Sequence, residues 1–310
     1  MELLHHFTTS TCLTISTDPI IRNFMRVNLP PIGFSHPYVL YGTLALAALH
    51  LARFRPELKE YYIAQAETRH ATAASMATTI LSDISSSSAD RGPIFLFSTL
   101  TSYIAFASPK EPSHLISSTH AAMPNWLSLF RGIRTVIELQ DIGTDFQSLS
   151  CLFQAGQEVK EIWDSQIVEH GALKELEHSI KTSTTKDEQT MLLLNEAIDG
   201  LKRAFSLFYG RELSSDKKAS VAFIWMYRIP EGFLALLRQR DTEALCVLAF
   251  FCVLLNKLEH NWWIDGWAVH LMERIYAAID DLHRLWIRWP IEELGWIPRP
   301  LMSSQVATPT

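Results

Sequence analysis

The stretch Met191-Leu192-Leu193-Leu194-Asn195-Glu196-Ala197-Ile198-Asp199-Gly200-Leu201-Lys202-Arg203-Ala204-Phe205-Ser206-Leu207-Phe208 decides the fold class. Within it Met191, Leu194, Ile198, Leu201, Phe205 and Phe208 advance by threes and fours, which places them on one stripe of an α-helix. Thr185 and Glu188 stand ahead of it at capping-box spacing. The stripe is shorter than the roughly three to four heptads that a coiled coil requires. Packing within the molecule is expected of it, with a dimer seam as the other use of the same face.

Working outward, punctuation falls where helices should begin and end. Ser35-His36-Pro37 opens a segment to Phe54, and Pro56 stops it and occupies the first turn of the next. Leu40, Leu44, Ala47, Ala48 and Leu51 are joined there by Tyr41, Leu46 and Leu49, so this helix is apolar nearly all round and should be central and buried. A helix from Pro56 to about Leu81 runs into Ser85-Ser86-Ser87-Ser88, which reads as a loop. Pro93 starts another apolar stretch that ends at Ser108-Pro109, and Pro124 opens Trp126 to Leu139. Asp241 should cap the run Ala244 to Leu255, and Asp265 a last long helix with Trp267, Leu271, Ile275, Ala278 and Leu282 on one face. Only the threonine-rich Thr11 to Thr17 reads equally as strand or helix. The fold class is all-α: a single multi-helix domain with a central buried helix over residues 1–301, and a disordered tail over 302–310. The serine loop, Ser108 to His120, and Ser179 to Lys186 are the best breaks, but apolar helices flank each, so one domain is expected.

Composition narrows the function classes. The chain has 310 residues, 48% of them hydrophobic and 19% charged, with a net charge of −6. That sign, with Lys and Arg scattered, is wrong for a surface that tracks phosphates, so no direct nucleic-acid binding through this chain is expected. The apolar run Ala244 to Leu255 has 12 residues, whereas a membrane span needs roughly 20; no membrane span is expected. The first residues lack the basic start and small-residue cleavage site of a secretory signal, and an intracellular location is expected. Cys12, Cys151, Cys246 and Cys252 sit at no metal-binding spacing and read as packing residues.

Chemistry is hard to find. Phosphate-cradling loops and nucleophile elbows need glycines two to five residues apart, and the closest pair, Gly33 and Gly42, is nine apart. None of the 12 histidines has another three or four residues away, the spacing that points two imidazoles the same way on a helix. His5 and His6 are adjacent, one expected inward and one at the surface. Asp280-Asp281 invites comparison with the aspartate-rich motif of helical terpene cyclases, but the third acid is missing, and a solvated face with Glu273 and Arg274 is expected instead. No catalytic residue, metal ligand or cofactor is identified.

Several local patterns occur in a telling order: Leu3-Leu4-His5-His6-Phe7-Thr8-Thr9, then Leu44-Ala45-Leu46-Ala47-Ala48-Leu49-His50-Leu51-Ala52, then Trp126-Leu127 with Phe130-Arg131-Gly132. Trp262-Trp263-Ile264-Asp265-Gly266-Trp267-Ala268, Trp289-Pro290 and Gly295-Trp296 follow. Together they resemble the carboxy-terminal regulatory domain of fungal binuclear-zinc-cluster transcription factors of the sterol-uptake-control type, over about Leu3 to Pro298. The resemblance implies an all-helical effector domain that senses a hydrophobic, sterol-like small molecule, is nuclear and/or cytoplasmic, and forms a homodimer. The six-cysteine DNA-binding module of that family precedes this domain and has no counterpart here, so none is expected in this chain.

An apolar pocket with a few placed polar groups suits such a ligand. Trp225, Met226, Tyr227, Phe233, Phe250, Phe251, Trp263 and Trp267 come from segments rich enough in aromatics to wall one, and Tyr227 and Arg228 are the candidates to meet a ligand hydroxyl. Each wall residue also reads as ordinary core. Two other functions remain open: an enzyme of a fungal metabolic pathway that reuses the helical scaffold, with His50, His260 or His270 in its cleft, and a protein–protein adaptor with a broad exposed apolar patch.

Overall fold

A computed structural model of the chain describes residues 1–83, 91–110, 149, 152, 158, 160–164, 169–183, 186–210 and 212–298. Every regular element among them is helical. The N-terminal segment winds through α1 (Glu2–His6), a π-helical stretch Phe7–Thr11, α2 (Cys12–Ile15), α3 (Pro19–Asn23), a second π-helical stretch Phe24–Asn28 and α4 (Leu29–Ser35). The threonine-rich stretch is therefore mostly helical. Within it Thr14 Oγ1 returns its hydrogen to Thr11 O of the preceding turn at 2.8 Å, which offsets the poor helix propensity of threonine.

The helix expected to be central is α5 (Pro37–Phe54), with Pro37 in its first turn and buried residues on every side. It packs against α4, α1, α6 (Lys59–Asp83) and α7 (Arg91–Ala107). Pro93 lies in the first turn of α7 rather than at its start, a place where its missing N–H costs nothing. After α8 (Gly171–Ser183) come α9 (Glu188–Gly210), α10 (Ser215–Arg228), α11 (Glu231–Arg238) and α12 (Thr242–Asn256). The stripe on α9 packs inside the molecule: Leu194, Ile198, Leu201, Phe205 and Phe208 are buried against its own neighbours, so it is not free to serve as a dimer seam. Helix α12 is as enclosed as α5, with Ala244 through Leu255 all buried, and no single helix among the described residues is long and apolar enough to cross a membrane.

Several expected boundaries move. Thr185 lies outside the described residues, and the cap of α9 is Asp187, whose carboxylate accepts from Thr190 N at 2.9 Å. Ser179 belongs to α8, so the break before α9 is narrower than the composition suggests. Asp241 caps α12 as expected, accepting from Ala244 N at 3.1 Å. Asp265 does not cap the next helix, because Arg53 of α5 takes its carboxylate at 2.6 Å. Gly266, at φ 74°, makes the turn into α13 (Trp267–Ala278) instead, a conformation that favours glycine.

The last long helix is also broken. Ile279 is extended, and Asp280 caps a new helix, α14 (Asp281–Trp286), through His283 N at 3.0 Å. Leu282 therefore leaves the apolar face and is 56% exposed. Asp281 remains at the surface, paired with Arg284, and α15 (Arg288–Leu294) completes the order. The serine loop, the Trp126 to Leu139 helix, Cys151 and the 302–310 tail lie outside the described residues. Cys12, Cys246 and Cys252 are buried free thiols, as packing residues should be.

The apolar interior forms two clusters. One surrounds α5 and gathers Phe7, Leu29, Tyr62, Leu96 and Leu100. The other surrounds α12 and gathers α8 to α11 and α13. Phe95, Tyr103, Ala107 and Trp262 pack against both, so α7 and the turn after α12 join the two halves.

Candidate functional site

The nine residues expected to line a pocket fall into separate places. Trp225 stacks on Phe251 with ring centroids 4.5 Å apart, meets Phe233 edge-on at 6.5 Å, and donates its indole hydrogen to Ala197 O at 2.9 Å. Gly200 of α9 permits this close approach, since a Cβ there would stand 3.1 Å from Trp225 Cδ1. Met226 is buried in the same cluster. Phe250 stacks at 5.5 Å on Trp289, which also touches His170 and Phe205. Arg228 is exposed: it pairs with Asp164 at 3.8 Å and lies 5.7 Å from the Trp163 ring centroid. These contacts are those of a packed core and its rim.

Trp263 and Trp267 belong to a different group, where α7, α10 and the turn before α13 converge. The Trp263 ring meets Tyr103 at 4.9 Å and 86°, Phe223 at 5.8 Å and Phe106 at 6.2 Å. Trp267 stands edge-on to Phe106 at 5.4 Å and donates to Phe106 O at 2.6 Å. Tyr103 and Phe106 lie three apart on α7, and Phe223 and Tyr227 four apart on α10, so each helix presents both rings along one face. Burial pushes the Tyr103 hydroxyl up to about 12, with the nearby Asp216 adding to it. Tyr227 is raised as well, by burial first and Tyr103 second. Both residues are half-buried, and with pKa values raised by burial both hydroxyls stay neutral at physiological pH.

One polar atom in this group stands out. Trp263 is 2% exposed, and its Nε1 hydrogen has no acceptor among the described residues. An unsatisfied buried donor costs about 1–3 kcal/mol, in a place where full burial of a large apolar side chain returns roughly 1.5–3 kcal/mol. Of the expected residues, the structure thus brings Trp263, Trp267 and Tyr227 near one site and leaves the other six elsewhere. Tyr103, Phe106 and Phe223 were not anticipated. Their signal is the three- and four-residue spacing of aromatics on α7 and α10, which reads as ordinary core until the two faces meet.

Helix α10 also holds the N-terminal segment. The Asp216 carboxylate accepts from Ser16 Oγ at 2.8 Å and from Thr17 N, Thr17 Oγ1 and Asp18 N at 2.9 Å each. Trp262 adds a bond from Nε1 to Thr14 Oγ1 at 2.9 Å.

The histidines proposed for catalysis are held apart. His50 Nδ1 lies 3.0 Å from His6 Nε2 and 3.1 Å from Thr11 Oγ1, with the Trp262 ring 4.6 Å and the Phe54 ring 4.8 Å away. Burial, then His6 and Arg53, lower its pKa to about 4, and its Nε2 has no partner among the described residues. His260 is exposed beside Asn261, and His270 packs edge-on to Trp267. As expected, His5 points outward and His6 inward. No group of three or more His, Cys, Asp or Glu among the described residues is placed to hold a metal ion.

Residues 2–158 match the profile of the fungal specific transcription factor domain. A Zn(2)-C6 fungal-type transcription factor of Gibberella zeae is 21% identical over 321 aligned residues, which take in 94% of this chain and 61% of that protein. The chain thus spans less than two thirds of the length of this relative.

Proposed function

Because the chain belongs to the fungal specific transcription factor domain family, we propose that it is the ligand-responsive effector region of a transcription regulator, acting in the nucleus on binding a hydrophobic small molecule such as a sterol. The observation that carries the reading is the aromatic group around Trp263, drawn from α7, α10 and the turn before α13, with a buried indole hydrogen that nothing in the described chain accepts. Ligand sites join apolar walls to a few such oriented polar groups. Native mass spectrometry of the purified chain with ergosterol, and with a total fungal lipid extract, tests it. A stoichiometric neutral-lipid adduct with a raised Tm is expected, and the absence of any adduct removes the sensing role.

The same spectra report oligomeric state, and a homodimer is the proposed form. Ile20, Val27 and Phe34, 66%, 54% and 63% exposed, are apolar side chains of the N-terminal helices that such a dimer would cover. Phe34→Ser should shift the population toward monomer; a wild-type chain that is monomeric at micromolar concentration excludes the dimer.

A further inference from the structure

Helix α10, part of the C-terminal cluster, holds the bridge between α2 and α3 of the N-terminal one through a single carboxylate. Ser16 is extended, at φ −140° and ψ 151°, and so is Asp18, at φ −72° and ψ 122°; they join helices of four and five residues. Helices that short carry little stability of their own, so the bridge can be drawn out locally at small cost. At its centre Thr17 is exposed, whereas Ser16 is buried. The Thr17 hydroxyl also differs from those of other exposed threonines. Thr9, Thr68, Thr72 and Thr78 return theirs to carbonyls of their own helices, but Thr17 Oγ1 donates to Asp216 Oδ2 at 2.9 Å. The same oxygen accepts from Ser16 Oγ, Thr17 N and Asp18 N. All four donors are neutral, and among the described residues no cation pairs with Asp216: Arg22 donates to Ser16 O, and Lys217 pairs with Glu158.

We infer that Thr17 is a phosphorylation site for an ATP-dependent protein kinase, and that phosphate there unlocks the N-terminal segment from α10. In the transfer Thr17 Oγ1 forms a bond to the γ-phosphorus of ATP, the bond from that phosphorus to the β,γ-bridging oxygen breaks, and ADP leaves. The hydroxyl proton passes to the base of the kinase. The product carries a charge of about −1.5 to −2 at neutral pH, at the atom that had donated a hydrogen to a carboxylate. A donor is thereby lost, and two anions face each other with Asp18 beside them. Phosphate placed against an acid in this way disrupts by repulsion. Its oxygens can also take the N–H groups of Thr17 and Asp18, which keeps those donors paired while Asp216 is expelled. The consequence falls on the joint between the two clusters, whose N-terminal side loses its carboxylate hold on α10.

Two measurements test the site and its effect. The folded chain is incubated with a fungal cell extract and adenosine 5′-O-(3-thiotriphosphate), and labelled residues are located by mass spectrometry. Thiophosphate on Thr17, absent from Thr17→Val, is expected; a chain labelled only elsewhere, or not at all, overturns the site. For the unlocking, phosphothreonine is placed at position 17 during translation by codon suppression. Amides of residues 16–28 should then exchange at least about tenfold faster than in the unmodified chain, the equilibrium worth of one hydrogen bond to a charged group, while α12 is unchanged. In Asp216→Asn the same phosphate faces an amide that donates to it, and the acceleration should disappear. No acceleration in the wild type, or equal acceleration in both backgrounds, overturns the charge clash. Should Asp216→Asn not fold, Thr17→Gln decides: its uncharged amide is longer than threonine and still donates to Asp216, so exchange should stay near the wild-type rate. Acceleration there as large as with phosphate would mean that bulk, not charge, opens the segment, and would equally overturn the clash.

Discussion

His50 is neutral because its surroundings make charge expensive. Its pKa is held at about 4 by burial, His6 and Arg53, whereas the unfolded chain takes up the proton near pH 6.5. The folded state therefore keeps its full stability above about pH 6.5 and loses it as pH falls toward 4, by something on the order of 2 kcal/mol from this residue. Thermal unfolding at pH 7.5 and pH 5 should show a clear drop in Tm for the wild type and a smaller one for His50→Gln. His6, His70 and His170, also lowered chiefly by burial, supply the remaining slope; an identical slope in the variant would place the acid lability elsewhere. At this scale the sequence shows a histidine on an apolar helix and no more. Its partner His6 lies 44 positions away, and no local spacing encodes that meeting. Trp263 was legible as a large aromatic in a rich segment, but its lack of an acceptor depends on where α7 and α10 happen to lie.

Helix boundaries were legible where the deciding contact is local. Asp241 caps α12 because it immediately precedes an apolar run, and Lys186 reinforces it by pairing with Asp241 and with the buried Glu243 at 2.6 Å. Asp265 had the same local credentials and failed because Arg53, 212 positions away in sequence, takes its carboxylate. The break after Ala278 follows from the capping chemistry of Asp280, which competes with continuation of the apolar face. Asp216 is the clearest long-range contact between elements. Removing its carboxylate in Asp216→Ala takes the shared acceptor from four donors of the N-terminal segment, of which Asp18 N keeps Ser16 Oγ at 3.0 Å. A loss of about 2–3 kcal/mol is expected, with faster hydrogen exchange over residues 16–28 than over α12. Unchanged exchange there would show that Trp262 and the apolar contacts hold the segment by themselves.

For the molecule as a whole, the all-α class was readable from periodicity and punctuation, since both are properties of neighbouring residues. The partition of the interior was not. Two clusters meet at α7, where Phe106 belongs to the C-terminal cluster while Leu100 and Ile104 belong to the N-terminal one. The family profile covers residues 2–158, a boundary drawn by likeness that cuts across this shared helix's packing. A gene shortened to those residues would encode α7 with Phe106 and Tyr103 stripped of Phe223, Trp263 and Trp267, and should give an aggregating product that binds the dye ANS, while the full chain stays soluble and dye-free. A soluble, dye-free fragment would mean that the N-terminal cluster folds without its neighbour. The practical unit for two-hybrid baits, crystallisation or gene fusion is accordingly the pair of clusters, and a recombination event that moved one without the other would have to rebuild one face of α7.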